Sequence, residues 1–260
     1  MDTPKIYTLF SSSKGNSLFV RYKNTRILID TGKSAKAISC ALNGIGENIA
    51  SIDAVFITHA HSDHTAGVEV LSRSYKLPVH MTRSAALQLL DKHPDCEPYL
   101  IQHDDRFCEQ IDDITVNSFV TPHDSPGSCG YTLSFEESDY RFGMCTDTGC
   151  ISVEMLENLK DCTGCIVESN YDCAMLRTGP YPAYLKKRIE ANTGHLSNDK
   201  CAELVCLLAK RGVKKFMLGH ISPENNRPEL ALRESCRALC ENGYTDVDIT
   251  VADRYMPTEF

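Results

Sequence analysis

The ten residues THAHSDHTAG, 58–67, constrain this chain more than any other stretch. They follow DAVFI, a short apolar run with the length and β-branched content of a buried strand. Residues two apart on an extended segment point the same way, so His59 and His61 can converge on one ion. Asp63 and His64 come next, at a turn into a helix, where they can face a second ion. Imidazole nitrogen and carboxylate oxygen suit Zn²⁺, Mn²⁺ or Fe²⁺. Two such ions ~3.5–4 Å apart can share a hydroxide, a nucleophile at neutral pH. Packing alone explains such alternation of histidines poorly.

Four residues cannot close two metal sites, so the fold must bring further ligands from elsewhere. Three candidates stand where an apolar strand gives way to polar residues: His123 after ITVNSFVTP, Asp147 ending YRFGMCTD and His220 ending KFMLGH. Around them the chain reads as two blocks. The first opens with KIYTLF, SLFVRY and TRILID, the last two joined across Lys23-Asn24. A helix from about Ser34 to Leu42 and further helix–strand alternation carry it to about Leu90. DKHPDCEP reads as loop. The second block opens with ITVNSFV, GYTLSF and YRFGMCTD, then alternates through ISVEMLENLK, GCIVES, LSNDKCAELVCLLAKRG, VKKFMLGH, RPELALRESCRALCENG and DVDITVAD. Two β-sheets covered by outer helices follow from that pattern, an α/β arrangement. No linker composition interrupts it, so 1–260 reads as a single domain.

A content of 42% hydrophobic and 24% charged residues is ordinary for a soluble protein. No apolar run approaches the ~18 residues of a membrane helix, and MDTPKIYTLF lacks the marks of a secretory signal. A cytoplasmic protein without membrane contact is expected. The thirteen cysteines then read as thiols, and the CTGC pair, Cys162 and Cys165, as core packing. The net charge of −8 argues against an indiscriminate nucleic-acid binder but permits an enzyme with a local basic track.

HAHSDH, His123, TDTG and LGHIS, with Asp30 of LIDTG near the start, resemble the successive motifs of the metallo-β-lactamase superfamily. The resemblance spans nearly the whole chain. It implies an αββα four-layer sandwich, two mixed sheets flanked by helices, with the metal site at one sheet edge. His59, His61 and His123 would form one site and Asp63, His64 and His220 the other, with Asp147 bridging two divalent ions.

That superfamily leaves lactams, thioesters, lactones and phosphodiesters all open. His195, in GHLSN, narrows the choice. Attack on phosphorus expels an alkoxide, which benefits from a proton donor. A histidine kept charged by a carboxylate would serve, and Glu168 at the end of GCIVES is the candidate partner. VES and GHLSN resemble the glutamate and H-S-T turn of the phosphodiesterase branch that includes the tRNA 3′-processing endonucleases, with Leu196-Ser197 replacing the serine-threonine pair. The same histidine could instead cap the next helix or bind a backbone carbonyl.

SSSKGNS, LIDTGKSAKAI, GHLSND and LGHISPENNRPELA resemble the YycJ/WalJ subgroup, associated with 5′→3′ exonuclease action on double-stranded DNA. The expectation is therefore a dinuclear phosphodiesterase with a metal-bridging hydroxide as nucleophile, Asp63 as a catalytic ligand, and His195, oriented by Glu168, as general acid. A small-molecule metallo-hydrolase acting on a thioester, lactone or cyclic phosphodiester is the alternative. Substrate contacts are expected from Asn16, Arg177, Tyr181, Lys186 and Arg188. The last four lie in RTGPYPAYLKKRI, which could equally be a solvated helix face with its tyrosines turned inward.

Overall fold

The computed structural model describes residues 3–260. The first half holds β1 (Lys5–Ser12), β2 (Gly15–Tyr22), β3 (Thr25–Ile29), α1 (Ala35–Gly44), β4 (Ala54–Phe56), α2 (Ser62–Thr65), α3 (Val68–Tyr75), β5 (Val79–Thr82), α4 (Arg83–Leu90) and β6 (Leu100–His103). The second half holds β7 (Cys108–Ile111), β8 (Ile114–Val120), β9 (Cys129–Phe135), β10 (Arg141–Cys145), α5 (Val153–Leu159), β11 (Gly164–Glu168), α6 (Cys173–Thr178), α7 (Ala183–Glu190), α8 (Asn198–Ala209), β12 (Lys215–Gly219), α9 (Pro228–Glu241) and β13 (Asp248–Val251). A last strand, β14 (Thr258–Glu259), returns to pair with β1.

The six strands of the first half, joined by β14, form one seven-stranded sheet, and the seven strands of the second half form the other; each half begins with antiparallel hairpins and continues in parallel crossovers. Period two along the strands divides the core into layers. Ile27 and Ile29 of β3 face Ile166 of β11 and Met217 of β12 between the sheets. Leu28 points the other way, with Ile38, Leu42 and Leu71 of the helices. On the second sheet Val167 and Leu218 do the same against Leu204 and Leu208 of α8. Two apolar faces per sheet force four layers, helix–sheet–sheet–helix.

Ser34 starts α1 as expected, its hydroxyl accepting the Ala37 N–H. DKHPDCEP departs from expectation: Pro94–Tyr99 wind into a 3-10 helix. β6 and β7 follow it and had no apolar signature, because both are four-residue edge strands with no buried residue. Among the described residues no helix is long and apolar enough to cross a membrane. The thirteen cysteines are all free, and Cys162 and Cys165 pack in the core beneath α5 and α8.

Just past the C-terminal ends of three parallel strands the chain adopts left-handed backbone at Asp30, Asp147 and His220, with φ of 62°, 56° and 54°. Such geometry costs a non-glycine residue about 1–3 kcal/mol and is retained where surrounding contacts fix it. It turns the backbone away while leaving each side chain in the crevice at the strand ends.

Candidate metal centre and its acid pair

The seven metal candidates converge on that crevice. The first sheet supplies His59 and His61 from the turn after β4, and Asp63 and His64 from α2 that follows it; the second supplies His123 after β8, Asp147 after β10 and His220 after β12. His61 Nδ1 lies 3.1 Å from His59 Nε2 and 3.2 Å from His123 Nε2. Opposite, Asp63 Oδ2 is 3.4 Å from His220 Nε2 and 3.6 Å from His64 Nε2. Asp147 stands between the sets. Its Oδ1 is 3.9 Å from His123 Nε2 and 3.5 Å from His220 Nε2, and its Oδ2 is 3.2 Å from His64 Nε2.

Four of the histidines are oriented by a partner on the ring nitrogen facing away from the cluster. His59 Nδ1 meets Thr58 Oγ1 at 3.0 Å, and His64 Nδ1 meets Asp30 Oδ2 at 2.8 Å. His123 Nδ1 donates to the Gly194 carbonyl at 3.1 Å, and His220 Nδ1 to Glu168 Oε1 at 2.7 Å. Fixing the outer proton leaves Nε2 as a lone pair aimed inward, the arrangement a metal-binding imidazole requires. Asp30, fully buried, also accepts from the Thr58 N–H at 2.9 Å.

Two observations test whether these residues fit divalent ions. Imidazole lone pairs crowded at hydrogen-bond separation need a cation among them. Asp147 Oδ2 is buried and, among the described residues, has no hydrogen-bond partner, an expense a structure tolerates only with a charge to meet it. The donor set fits Zn²⁺, Mn²⁺ or Fe²⁺. Electrostatics agree. Burial opposes the Asp147 charge, yet His220 and His64 hold its pKa well below the usual carboxylate range. Burial also works against a charged His220, but Asp147, Asp63 and Glu168 raise it to about 10. The crevice favours a cation, whether proton or metal.

Glu168 is fully buried and uses both oxygens. Oε1 accepts from His195 Nδ1 at 2.8 Å as well as from His220, while Oε2 takes the backbone N–H groups of Thr148 at 3.0 Å and Leu196 at 3.2 Å. Burial resists its ionisation, but His195 and His220 hold the pKa down to about 2. His195, with 21% of its side chain exposed, lines a cavity of about 360 Å³ beside His61, Asp63, Asp147 and His220. It does not cap a helix; Ser197 holds the N-cap position of α8.

The proposed substrate contacts divide. Tyr181 and Arg188 line the cavity, Tyr181 bonded to Glu224 Oε2 at 3.3 Å and Arg188 Nε to Asp124 Oδ2 at 2.5 Å. Arg177 and Lys186 do not line it. Lys186 Nζ instead donates to the carbonyls of Arg177 and Gly179, at 2.9 and 2.7 Å. Asn16 is also a correction: it is 4% exposed, its Oδ1 accepts the Ser12 N–H, and its amide lies 3.0 Å from His64 Nε2. It supports the loop rather than offering a face to substrate. Asp124, unmarked in the sequence except by its place beside His123, brings its Oδ1 to 3.7 Å from His61 Nε2 and 3.6 Å from His123 Nε2. Asn170, with no mark in the sequence, donates to the His220 carbonyl at 2.8 Å.

A family profile described as a beta-lactamase superfamily domain matches residues 25–221. The exodeoxyribonuclease YycJ of Bacillus anthracis is 33% identical over 257 residues, 96% of each chain. The exodeoxyribonuclease WalJ of Streptococcus pneumoniae serotype 2 (strain D39) is 34% identical over 232 residues, 87% of this chain and 85% of its own. Among solved structures, the metallo-beta-lactamase fold protein YhfI of Bacillus subtilis superposes with a TM-score of 0.71 at 13% identity, covering 99% of both chains. Human tRNase Z, short form, does so with a TM-score of 0.68 at 15% identity, covering 98% of both. These two likenesses speak for the fold. With the profile and the relatives in agreement, the chain belongs to the metallo-β-lactamase superfamily of hydrolases and is a relative of the YycJ and WalJ exodeoxyribonucleases.

Proposed function

We propose that this protein is a cytoplasmic, dinuclear metal-dependent phosphodiesterase that degrades double-stranded DNA in the 5′→3′ direction. The observation that carries the reading is the Glu168–His195 pair, 2.8 Å apart and set at the wall of the cavity that the metal ligands share. Hydrolysis of a thioester, whose thiolate leaves without a proton, has less use for a donor so placed. Divalent ions held by His59, His61 and His123, and by Asp63, His64 and His220, with Asp147 shared, would supply a water of lowered pKa and positive charge against the reacting phosphate.

The chain's own residues do the rest. Glu168 accepts a hydrogen bond from His195 Nδ1–H, which leaves Nε2–H as the donor for the departing sugar oxygen. Buried and held by two backbone N–H groups, Glu168 keeps its charge and so keeps the His195 ring oriented. Arg188 lines the cavity, tethered by Asp124, and would meet a neighbouring phosphate. The nature of the substrate is supported by the names of the relatives, both exodeoxyribonucleases, and the direction by the resemblance of the loop motifs to their subgroup.

The test is digestion of duplex DNA, labelled at one end at a time, by protein reconstituted with Mn²⁺ or Zn²⁺. Stepwise loss from 5′ ends is expected, abolished in Asp63→Ala and slowed in metal-replete His195→Ala. Inertness toward DNA and RNA, with turnover of a thioester, lactone or cyclic-phosphodiester panel, would overturn the nuclease reading in favour of a small-molecule hydrolase.

A further inference from the structure

A second group of metal-ligating side chains lies outside the crevice, where the edges of the two sheets meet. His80 sits on β5 and His103 ends β6, both in the first sheet, while Glu109 sits on β7 of the second. His80 Nδ1 is 3.0 Å from His103 Nε2. One ligand atom from each of the three residues falls within 4.8 Å of the other two. The rings are held before any ion arrives. Phe56 stacks on His80 at 4.7 Å and Phe107 on His103 at 4.0 Å, and the two imidazoles lie within 14° of parallel. Preorganised donors lose little freedom on binding.

We propose that His80, His103 and Glu109 form a third metal site, binding one Zn²⁺ ion that ties β6 of one sheet to β7 of the other. Two imidazole nitrogens and one carboxylate oxygen, with water in the fourth position, form a common zinc donor set. Zinc–ligand bonds of about 2.0–2.1 Å place tetrahedral donors roughly 3.3 Å apart, close to the separation already present between the two rings. His80 is buried, but His103 and Glu109 are half-buried, which gives the ion a path from solvent. Both edge strands are short and lack a buried residue, so few other contacts fix them. The ion's effect would be to hold this edge closed, not to take part in turnover.

The experiment loads the full chain with Zn²⁺, removes loose ions on a desalting column and measures zinc per chain by mass spectrometry. Glu109→Gln leaves both rings and their stacking in place; His103→Ala removes a ring ligand. Each is expected to hold one zinc fewer than the wild type and to lose part of the zinc-induced rise in melting temperature. Glu109→Gln should leave DNA degradation unchanged. Asp63→Ala should show the converse, losing crevice zinc and keeping the edge ion, so failure of the nuclease reading would not affect this result. Equal zinc content in the wild type and both edge variants would overturn the proposal and leave His80 and His103 as a plain N–H···N pair.

Discussion

Glutamine at position 168 would keep the shape of the side chain and change what it can accept. In the native site one Glu168 oxygen takes the N–H groups of Thr148 and Leu196, and a glutamine carbonyl could keep both. The other oxygen would become an NH₂ group facing Nδ1–H donors from His195 and His220. Donor meets donor, so both imidazoles must move their proton to Nε2 or lose their partner. Each hydrogen bond to a charged group is worth roughly 1.5–3 kcal/mol, so about 3–6 kcal/mol is at stake across folding, ion affinity and catalysis. His220 with a proton on Nε2 is a poor ligand, and retention of its ion should fall about 10–100-fold. At saturating metal, loss of an oriented proton donor should still lower kcat on DNA by about 10²–10⁴-fold, or ~2.7–5.4 kcal/mol. The assay compares duplex DNA with a nucleotide p-nitrophenyl ester under single turnover. Nitrophenolate leaves without a proton, so the ester should lose less than about tenfold. Equal losses on both substrates would refute the proton-donor role, as would a DNA rate close to wild type.

Other substitutions test other contacts. A Cβ at Gly32 would lie 1.6 Å from the Asp63 carbonyl oxygen, so Gly32→Ala should displace the HAHSDH turn, destabilise the fold by about 3 kcal/mol and reduce metal content; a normal melting curve and full metal content would contradict this. Chelation should lower the melting temperature, because an ion at 100 times its Kd contributes about 2.7 kcal/mol, equivalent to about 5–10 °C for a chain of this size. Calorimetry with and without EDTA checks it, and coincident curves would mean the crevice holds no tightly bound ion. Lys186→Ala should cost about 1 kcal/mol of stability in chemical denaturation and leave DNA affinity unchanged, since its ammonium is spent on two carbonyls. Arg188→Ala should weaken DNA binding and reduce the salt slope by about 1, as read by anisotropy across a salt series. Matching effects of the two variants on DNA binding would contradict that division of labour.

The candidate ligands of the second sheet were legible in the sequence because each follows an apolar run. His123, Asp147 and His220 lie where hydrophobic strands stop, and a sheet gathers such ends on one edge. Four layers were legible for a related reason: apolar residues on both faces of β3, β11 and β12 demand cover on both sides. The edge strands β6 and β7 left no such trace, since half-exposed four-residue strands look like loop. Direction was the other missing quantity. Asn16, Lys186 and Arg188 are all polar residues in plausible segments, but sequence does not say that the first two turn toward backbone while the third faces the cavity. Asp124 and Asn170 act through neighbours brought together only by the tertiary fold.

Candidate ligands drawn from both sheets also bear on when this chain becomes competent. HAHSDH leaves the ribosome early, but His123, Asp147 and His220 follow over the next 160 or so residues, and none can help until the second sheet docks. Contacts of such long sequence separation form late in folding. The hydrolytic centre is then among the last features to assemble, and a half-made or half-unfolded chain is inert. For an enzyme with the activity proposed above, that ordering is a safeguard: the only form able to cut DNA is the one that has finished folding.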